Sequence, residues 1–370
     1  MLDNVNRVAV AMSGGVDSSA VALILRESGW EVVGVAMQVW DYRKSGNCQA
    51  SCCSPDDFQD ARMVASHGGF PFYVLDFEDV FEKQVIEPFV ASYMRGLTPN
   101  PCLDCNKHIK FKELHRRAAS FGCHKVATGH YATIRNDSNN NWALFTAADK
   151  NKDQSYFLYA MTQAELSSTL FPLGAMQKAE VRDYLARRGL SMAEKPESQD
   201  ICFVSNSVPY FLEARFPNKI VGGKIVRSDG MVLGKHSGIH RYTVGQRKGL
   251  GVSATSPLYV IGLDAANNEV IVGEKAELER EGFLVRDVNW ICGSPPQGDI
   301  DALVKMRYRH EGVRCRVRPV KDCGDNVFKA EVNFLNQWAT VTPGQAAVFY
   351  SLESSYGDLV QVLGGGIIDR

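Results

Sequence analysis

No stretch of the 370-residue chain approaches eighteen consecutive apolar residues, so no segment reads as a membrane-spanning helix and no membrane partner is expected. The opening Met1-Leu2-Asp3-Asn4 has neither the basic block nor the apolar block of a secretion signal, which makes the cytoplasm the default compartment. An excess of one charge is also missing. Lys+Arg number 41 and Asp+Glu 42, a formal net charge of −1, so total charge neither demands nor excludes a nucleic-acid partner and local patches must decide. No internal repeat or low-complexity tract is visible, and residues 136–141 read as a polar loop tip. Cysteine, by contrast, is plentiful. In a cytosolic chain of this size, ten cysteines point to thiol chemistry, metal binding or burial rather than a disulfide framework. Length and 45% hydrophobic content fit two or three domains with real cores.

The first third alternates strand-like and helix-like segments: strands near 7–12, 31–39, 71–77 and 125–130, and helices near 55–67 and 78–95. Such alternation implies βαβ units and a parallel sheet, with ligands collecting at the carboxyl ends of the strands. Residues 172–190 read as a further helix, opened by Pro172 and closed by Gly189. The texture then changes, giving expected domains at 1–205, 206–275 (small and glycine-dense) and 276–370 (strand-rich, a small β-barrel).

Ser13-Gly14-Gly15-Val16-Asp17-Ser18-Ser19 breaks the first strand and restarts the chain as a helix. That leaves backbone N–H groups and a positive helix end facing outward, where a phosphate can sit. The glycines permit close approach, Ser13, Ser18 and Ser19 add hydroxyl donors, and Asp17 is a candidate ligand for phosphate-bound magnesium. The stretch lacks the Walker pattern and the three-glycine dinucleotide turn. It resembles the SGGxDSS loop of the N-type ATP pyrophosphatases (adenine nucleotide alpha hydrolase-like), which cleave ATP to AMP and pyrophosphate. The expected fold is therefore α/β: a parallel-sheet pyrophosphatase domain, a small central domain and a C-terminal β-barrel.

Further along, Thr98-Pro99-Asn100-Pro101-Cys102-Leu103-Asp104-Cys105-Asn106-Lys107 puts two thiols at the start of a predicted helix. That position, with Lys107 and Lys110 near, favours thiolate. A third cysteine of interest is Cys202, within Glu197-Ser198-Gln199-Asp200-Ile201-Cys202-Phe203. Cys48, Cys52 and Cys53 lie in a loop without a second Cys-x2-Cys half, and Cys123, Cys292, Cys315 and Cys323 stand alone and read as structural. Basic residues cluster at Lys107, Lys110, Lys112, Arg116 and Arg117, at Arg241 with Arg247-Lys248, and at Lys305, Arg307 and Arg309. Three such clusters around reactive cysteines suit phosphate contacts to an RNA that spans the domains.

These segments, together with Gly129-His130-Tyr131-Ala132, Lys152-Asp153-Gln154-Ser155-Tyr156, Gly245-Gln246-Arg247-Lys248-Gly249 and Pro343-Gly344-Gln345, resemble the tRNA-specific 2-thiouridylase family over nearly the whole chain. The resemblance implies ATP-dependent replacement of the wobble-uridine O2 by sulfur, by way of an adenylated uridine. It implies ATP at Ala11, Met12, Ser13, Gly14, Gly15, Val16, Asp17 and Ser18, with Met37 and Gly129 at the adenosine. Cys105 is implied as nucleophile and Cys202 as persulfide carrier. The tRNA is expected at Asn100, Pro101, Cys102, His130, Lys152, Asp153, Gln154, Arg307, Tyr308 and Gln345. The expected partners are tRNA and an upstream sulfur donor, a cysteine desulfurase or sulfur-relay protein. Where some members carry an aspartate, this chain has Cys102. That leaves two routes open: a persulfide on Cys202 that ends as a Cys105–Cys202 disulfide, or a [4Fe-4S] cluster on Cys102, Cys105 and Cys202 with one iron free for sulfide. A C–N ligase of the same ATP-handling class and a non-enzymatic RNA- or nucleotide-binding module are the alternatives. Neither calls for three cysteines in such settings.

Overall fold

The computed structural model describes residues 6–40, 55–136, 141–196, 201–204, 206–321, 328–335 and 338–369. Cys48, Cys52, Cys53, Cys323 and the Glu197-Ser198-Gln199-Asp200 stretch lie outside the described residues. No helix among the described residues is long and apolar enough to cross a membrane.

The first part is built from β1 (Arg7–Ala11), α1 (Val16–Glu27), β2 (Glu31–Gln38), α2 (Pro55–Gly68), β3 (Phe72–Asp76), β4 (Lys125–Ala127), β5 (Thr133–Asn136), β6 (Trp142–Phe145) and β7 (Thr169–Leu170). Five of these strands form a parallel sheet in the order β3-β2-β1-β4-β7. The short apolar run of β1 is buried on both faces, and the pleat sorts its side chains. Val8, Val10 and Met12 join the core shared with α1, α2 and the helix Lys178–Ala186. Ala9 and Ala11 join the opposite core, shared with the helical run from Glu78 to Met94 and the helix Leu114–Ser120. The sheet therefore separates two layers of helices.

Two predicted elements end earlier or start later than expected. β4 stops at Ala127, which leaves Thr128, Gly129 and His130 as a loop at the carboxyl edge. The helix expected over 172–190 is confined to Lys178–Ala186. Leu173 turns into the core instead, and a Cβ on Gly174 would stand 2.1 Å from the Ala132 carbonyl oxygen, so the chain must turn there. The helix restarts where the Gln177 N–H donates to Glu180 Oε2 (2.7 Å), and Gly189, at φ +70°, follows its end as expected.

A central sheet follows, β8 (Gly223–Arg227), β9 (Val232–His236), β10 (Tyr259–Asp264) and β11 (Glu269–Gly273), in the order β10-β11-β8-β9. The remainder comprises β12 (Glu279–Arg280), β13 (Gly282–Trp290), β14 (Ile300–Lys305), β15 (Val313–Lys321), β16 (Phe328–Phe334), β17 (Ala339–Thr340), β18 (Ala346–Tyr356) and β19 (Leu359–Ile368). Antiparallel pairing runs β13-β16-β15-β14-β18-β19, and β19 pairs back onto β13, closing a six-stranded barrel. Closure removes the exposed edges an open sheet would leave. The β5–β6 hairpin of the first part pairs with β19 through Gln361 opposite Phe145 and Val362 opposite Leu144, so the barrel sheet continues into the N-terminal part.

A second tie between the parts lies at Thr98, just before Asn100-Pro101. The Thr98 N–H donates to the Pro343 carbonyl (3.0 Å), and Gln345 Nε2 donates to the Thr98 carbonyl (2.6 Å). Gly344 between them sits at φ +91°, and a Cβ there would lie 2.7 Å from the Thr98 nitrogen. Gly344→Ala meets both a left-handed backbone and a backbone clash, and is expected to destabilise the chain by about 1–3 kcal/mol. Denaturant unfolding measures it, and an unchanged midpoint would refute the tie.

Candidate active site

The loop after β1 takes the form the two glycines allow. Gly14 sits at φ +69°, with an imaginary Cβ 2.1 Å from the Asp57 carbonyl oxygen, so the loop lies directly against α2. Gly15 caps α1 with no side-chain cap, leaving the first N–H groups of a 12-residue helix to bind something else. Ser18 Oγ accepts from the Ser13 N–H (3.2 Å) and donates to the Gly15 carbonyl (3.2 Å), which fixes the turn from inside. The Ser19 hydroxyl is fully buried with no hydrogen-bond partner among the described residues. Gly129 closes onto this loop: a Cβ there would fall 2.9 Å from Asp17 Cβ and 3.0 Å from the Ser18 nitrogen. Met37, near the end of β2, lies on the same carboxyl edge as Ala11, Met12 and Val16. The sheet thus brings the expected nucleotide residues together.

Two lysines that the sequence reading did not single out flank the loop. Lys178 Nζ donates to both oxygens of Asp17, at 2.6 and 2.7 Å, and the Tyr131 hydroxyl donates to Asp17 Oδ1 at 2.8 Å. Lys195 Nζ donates to Asp57 Oδ1 and Asp60 Oδ2, both at 2.6 Å, and to the Gly14 carbonyl at 3.2 Å. Neither lysine belongs to a motif. Only the three-dimensional pairing identifies them.

The cysteine turn is a helix start, as its prolines predict. The Cys102 N–H donates to Asn100 Oδ1 (3.1 Å), Pro101 opens the helix Pro101–Asp104, and wider π-type turns run over Cys105–Glu113. Cys102 is exposed, and Cys105 is half-buried. Asn106 is buried, and its Nδ2 donates to the Phe157 carbonyl (3.1 Å), tying the turn to the segment that follows Gln154. Cys105 and Cys202 both pack against the core on the side of the sheet away from α1. Among the described residues no group of three or more His, Cys, Asp or Glu side chains is placed to hold a metal ion.

The residues expected to meet RNA occupy two settings. Arg307 is exposed in the turn after β14, beside half-buried Tyr308, whose ring lies 4.6 Å from that of Phe157. Lys152 is half-buried on the adjoining segment. Its neighbours use their side chains inwardly. Asp153 accepts from the Ala147 and Ser155 N–H groups (3.1 and 3.2 Å), and burial raises its pKa. Gln154 Oε1 accepts from the Tyr131 N–H (3.0 Å), while the Gln154 N–H donates to the Tyr131 carbonyl (2.8 Å). His130 lies in the interior, its Nδ1 2.7 Å from Thr128 Oγ1, with burial pushing its pKa well down, so it is neutral. Among the basic clusters, Arg116 and Arg117 both bind Glu113 on their own helix, which holds that carboxyl down at about 2. Lys107, Lys112, Arg247 and Lys248 remain exposed.

Residues 6–206 match the family described as tRNA methyl transferase HUP domain, 210–274 the tRNA methyl transferase PRC-barrel domain, and 280–368 the Aminomethyltransferase beta-barrel domain. The tRNA-specific 2-thiouridylase MnmA of Geotalea uraniireducens is 48% identical over 369 residues, covering 98% of this chain and 95% of the relative. That of Acidobacterium capsulatum is 46% identical over 377 residues, 98% and 99% of the two chains. Among solved structures, a 4-thiouridine synthetase–RNA complex with bound ATP is similar at a TM-score of 0.35 and 14% identity, over 56% of this chain and 49% of that chain, too slight a likeness to bear on function. At 46–48% identity along almost its whole length, this chain belongs to the tRNA-specific 2-thiouridylase family.

Proposed function

We propose that the protein is an ATP-dependent tRNA sulfurtransferase that replaces O2 of the wobble uridine with sulfur. The observation that carries this reading is the placement of Cys105 and Cys202 on one layer of the sheet whose carboxyl edge bears the Ser13-to-Ser19 loop. A loop of the ATP-handling type and two half-buried cysteines on one sheet support sulfur transfer over the methyl transfer named in the domain descriptions.

Chemically, the difficulty is the leaving group. An amide-like O2 departs poorly, so it first attacks the α-phosphate of ATP and expels pyrophosphate. The N–H groups at the start of α1 stabilise the charge that develops on the phosphates. Asp17 already accepts three hydrogen bonds from Lys178 and Tyr131, which leaves room at Oδ2 for one contact to magnesium, direct or through water. Magnesium would supply charge neutralisation on the leaving pyrophosphate. The outer sulfur of a Cys202 persulfide then attacks C2, and AMP leaves. The Cys105 thiolate attacks the inner sulfur of Cys202, breaking the S–S bond so that sulfur stays on C2. The resulting Cys105–Cys202 disulfide is reduced by an external dithiol, and the upstream donor reloads Cys202. The half-buried, apolar setting of both thiols supports a step that must exclude water. Asn100, Pro101 and Cys102 would receive the target base, with Lys152, Arg307 and Tyr308 against the RNA and His130, Asp153, Gln154 and Gln345 shaping that surface from behind.

Incubation of the protein with ATP, magnesium, a persulfide donor and tRNA, followed by nucleoside mass spectrometry, tests the reading, and absence of 2-thiouridine would overturn it. Cys105→Ala and Cys202→Ala are each expected to abolish thiolation while ATP binding by calorimetry is retained. Arg307→Ala is expected to weaken tRNA binding and to reduce the slope of log K against log salt by about one unit, the share of one phosphate contact. A slope equal to that of the wild type would remove Arg307 from the interface.

A further inference from the structure

Lys178 is only 8% exposed, on the first residue of a helix whose next inward positions, Val181 and Leu185, are completely buried. An ammonium in such a place needs a partner, and Lys178 bonds both oxygens of Asp17. The backbone that carries the ammonium is anchored independently of the loop. The Lys178 N–H donates to buried Asp149 Oδ2 (3.0 Å), and the Gln177–Glu180 bond fixes the start of its helix. Tyr131, 2% exposed, donates its hydroxyl to the same carboxylate and places its ring 5.8 Å below the ammonium. Asp17 meanwhile occupies the first turn of α1, where the phosphates are expected. An unbalanced carboxylate there favours the helix but repels a triphosphate.

We propose that Lys178 is a positioning residue of the nucleotide site, which balances and orients Asp17 so that the triphosphate can lie across the start of α1. Tyr131 is the second support of the same carboxylate. Lys178 thus acts through Asp17 and not on the reacting atoms. The inference rests on the ATP-dependent reading above, and the experiment separates the two.

ATP and adenosine binding are titrated calorimetrically on the full-length wild type, Lys178→Met, Lys178→Arg and the Asp17→Asn/Lys178→Met double variant, with tRNA affinity measured on the same preparations. Lys178→Met is expected to weaken ATP on the order of tenfold or more, because it leaves the carboxylate uncompensated, while Lys178→Arg stays within about threefold. Adenosine and tRNA affinities are expected to be unchanged. The double variant, which removes both charges together, is expected to bind ATP no more weakly than Lys178→Met. Wild-type ATP affinity in Lys178→Met would overturn the proposal, as would equal losses for ATP and adenosine, or a loss of tRNA binding in step, either of which marks damaged packing. A double variant weaker than Lys178→Met would show Asp17 acting chiefly through the metal and would also overturn it. If the wild type itself bound no ATP, the ATP-dependent reading would fall and Lys178 with it.

Discussion

The position of the Cys102–Cys105 turn is set by hydrogen bonds to a backbone more than two hundred residues away. Thr98 gives its N–H to Pro343 and receives Gln345 Nε2 on its carbonyl, and its hydroxyl lies 3.5 Å from that of Thr243 in the central part. Asn100 and Pro101 then fix the start of the helix within a few residues. The turn proposed to receive the target base is thereby anchored where the first, central and barrel parts of the chain meet. The β5–β6 hairpin serves the same end from the other side, because its pairing with β19 locks the segment leading to Gln154 onto the barrel.

Much of the sheet was legible because its signals are local. The β1 run, the two glycines and the helix that follows form a continuous pattern within about twenty residues, and burial on both faces leaves little freedom in how it folds. The same holds for Asn100 and Pro101, whose capping roles follow from their chemistry. What the sequence hid was non-local. Nothing in the Thr133–Asn136 or Trp142–Phe145 strands says that they continue a barrel two hundred residues downstream. The helix expected from Pro172 begins only at Lys178, because Leu173 is claimed by the core and Gly174 by the Ala132 carbonyl, neither of which a periodic pattern registers.

The same limit applies to charges. Asp153 and Gln154 look solvent-directed in sequence, yet both spend side-chain oxygens on backbone N–H groups. Lys178 and Lys195 carry no motif, but they brace the phosphate loop from two sides, each through aspartates. Gln154 in turn grips Tyr131, which bonds Asp17, so the loop and the segment expected at the RNA share one chain of hydrogen bonds.

Burial also sorts the cysteines, which sequence context could only begin to do. Cys123 and Cys315 are closed into cores, and desolvation pushes their thiols up to about 11 and about 12, so neither supplies thiolate near neutral pH. Cys292 is exposed, but its Sγ is directed at the Ser294 carbonyl in a turn on the barrel part. Cys102, Cys105 and Cys202 differ from all three: they lie on the first part of the chain, exposed or half-buried, and the last two share an apolar layer. Full burial would raise the cost of the thiolate, and full exposure would admit water to an activated uridine. Half-burial against apolar side chains is the compromise that the proposed sulfur transfer requires.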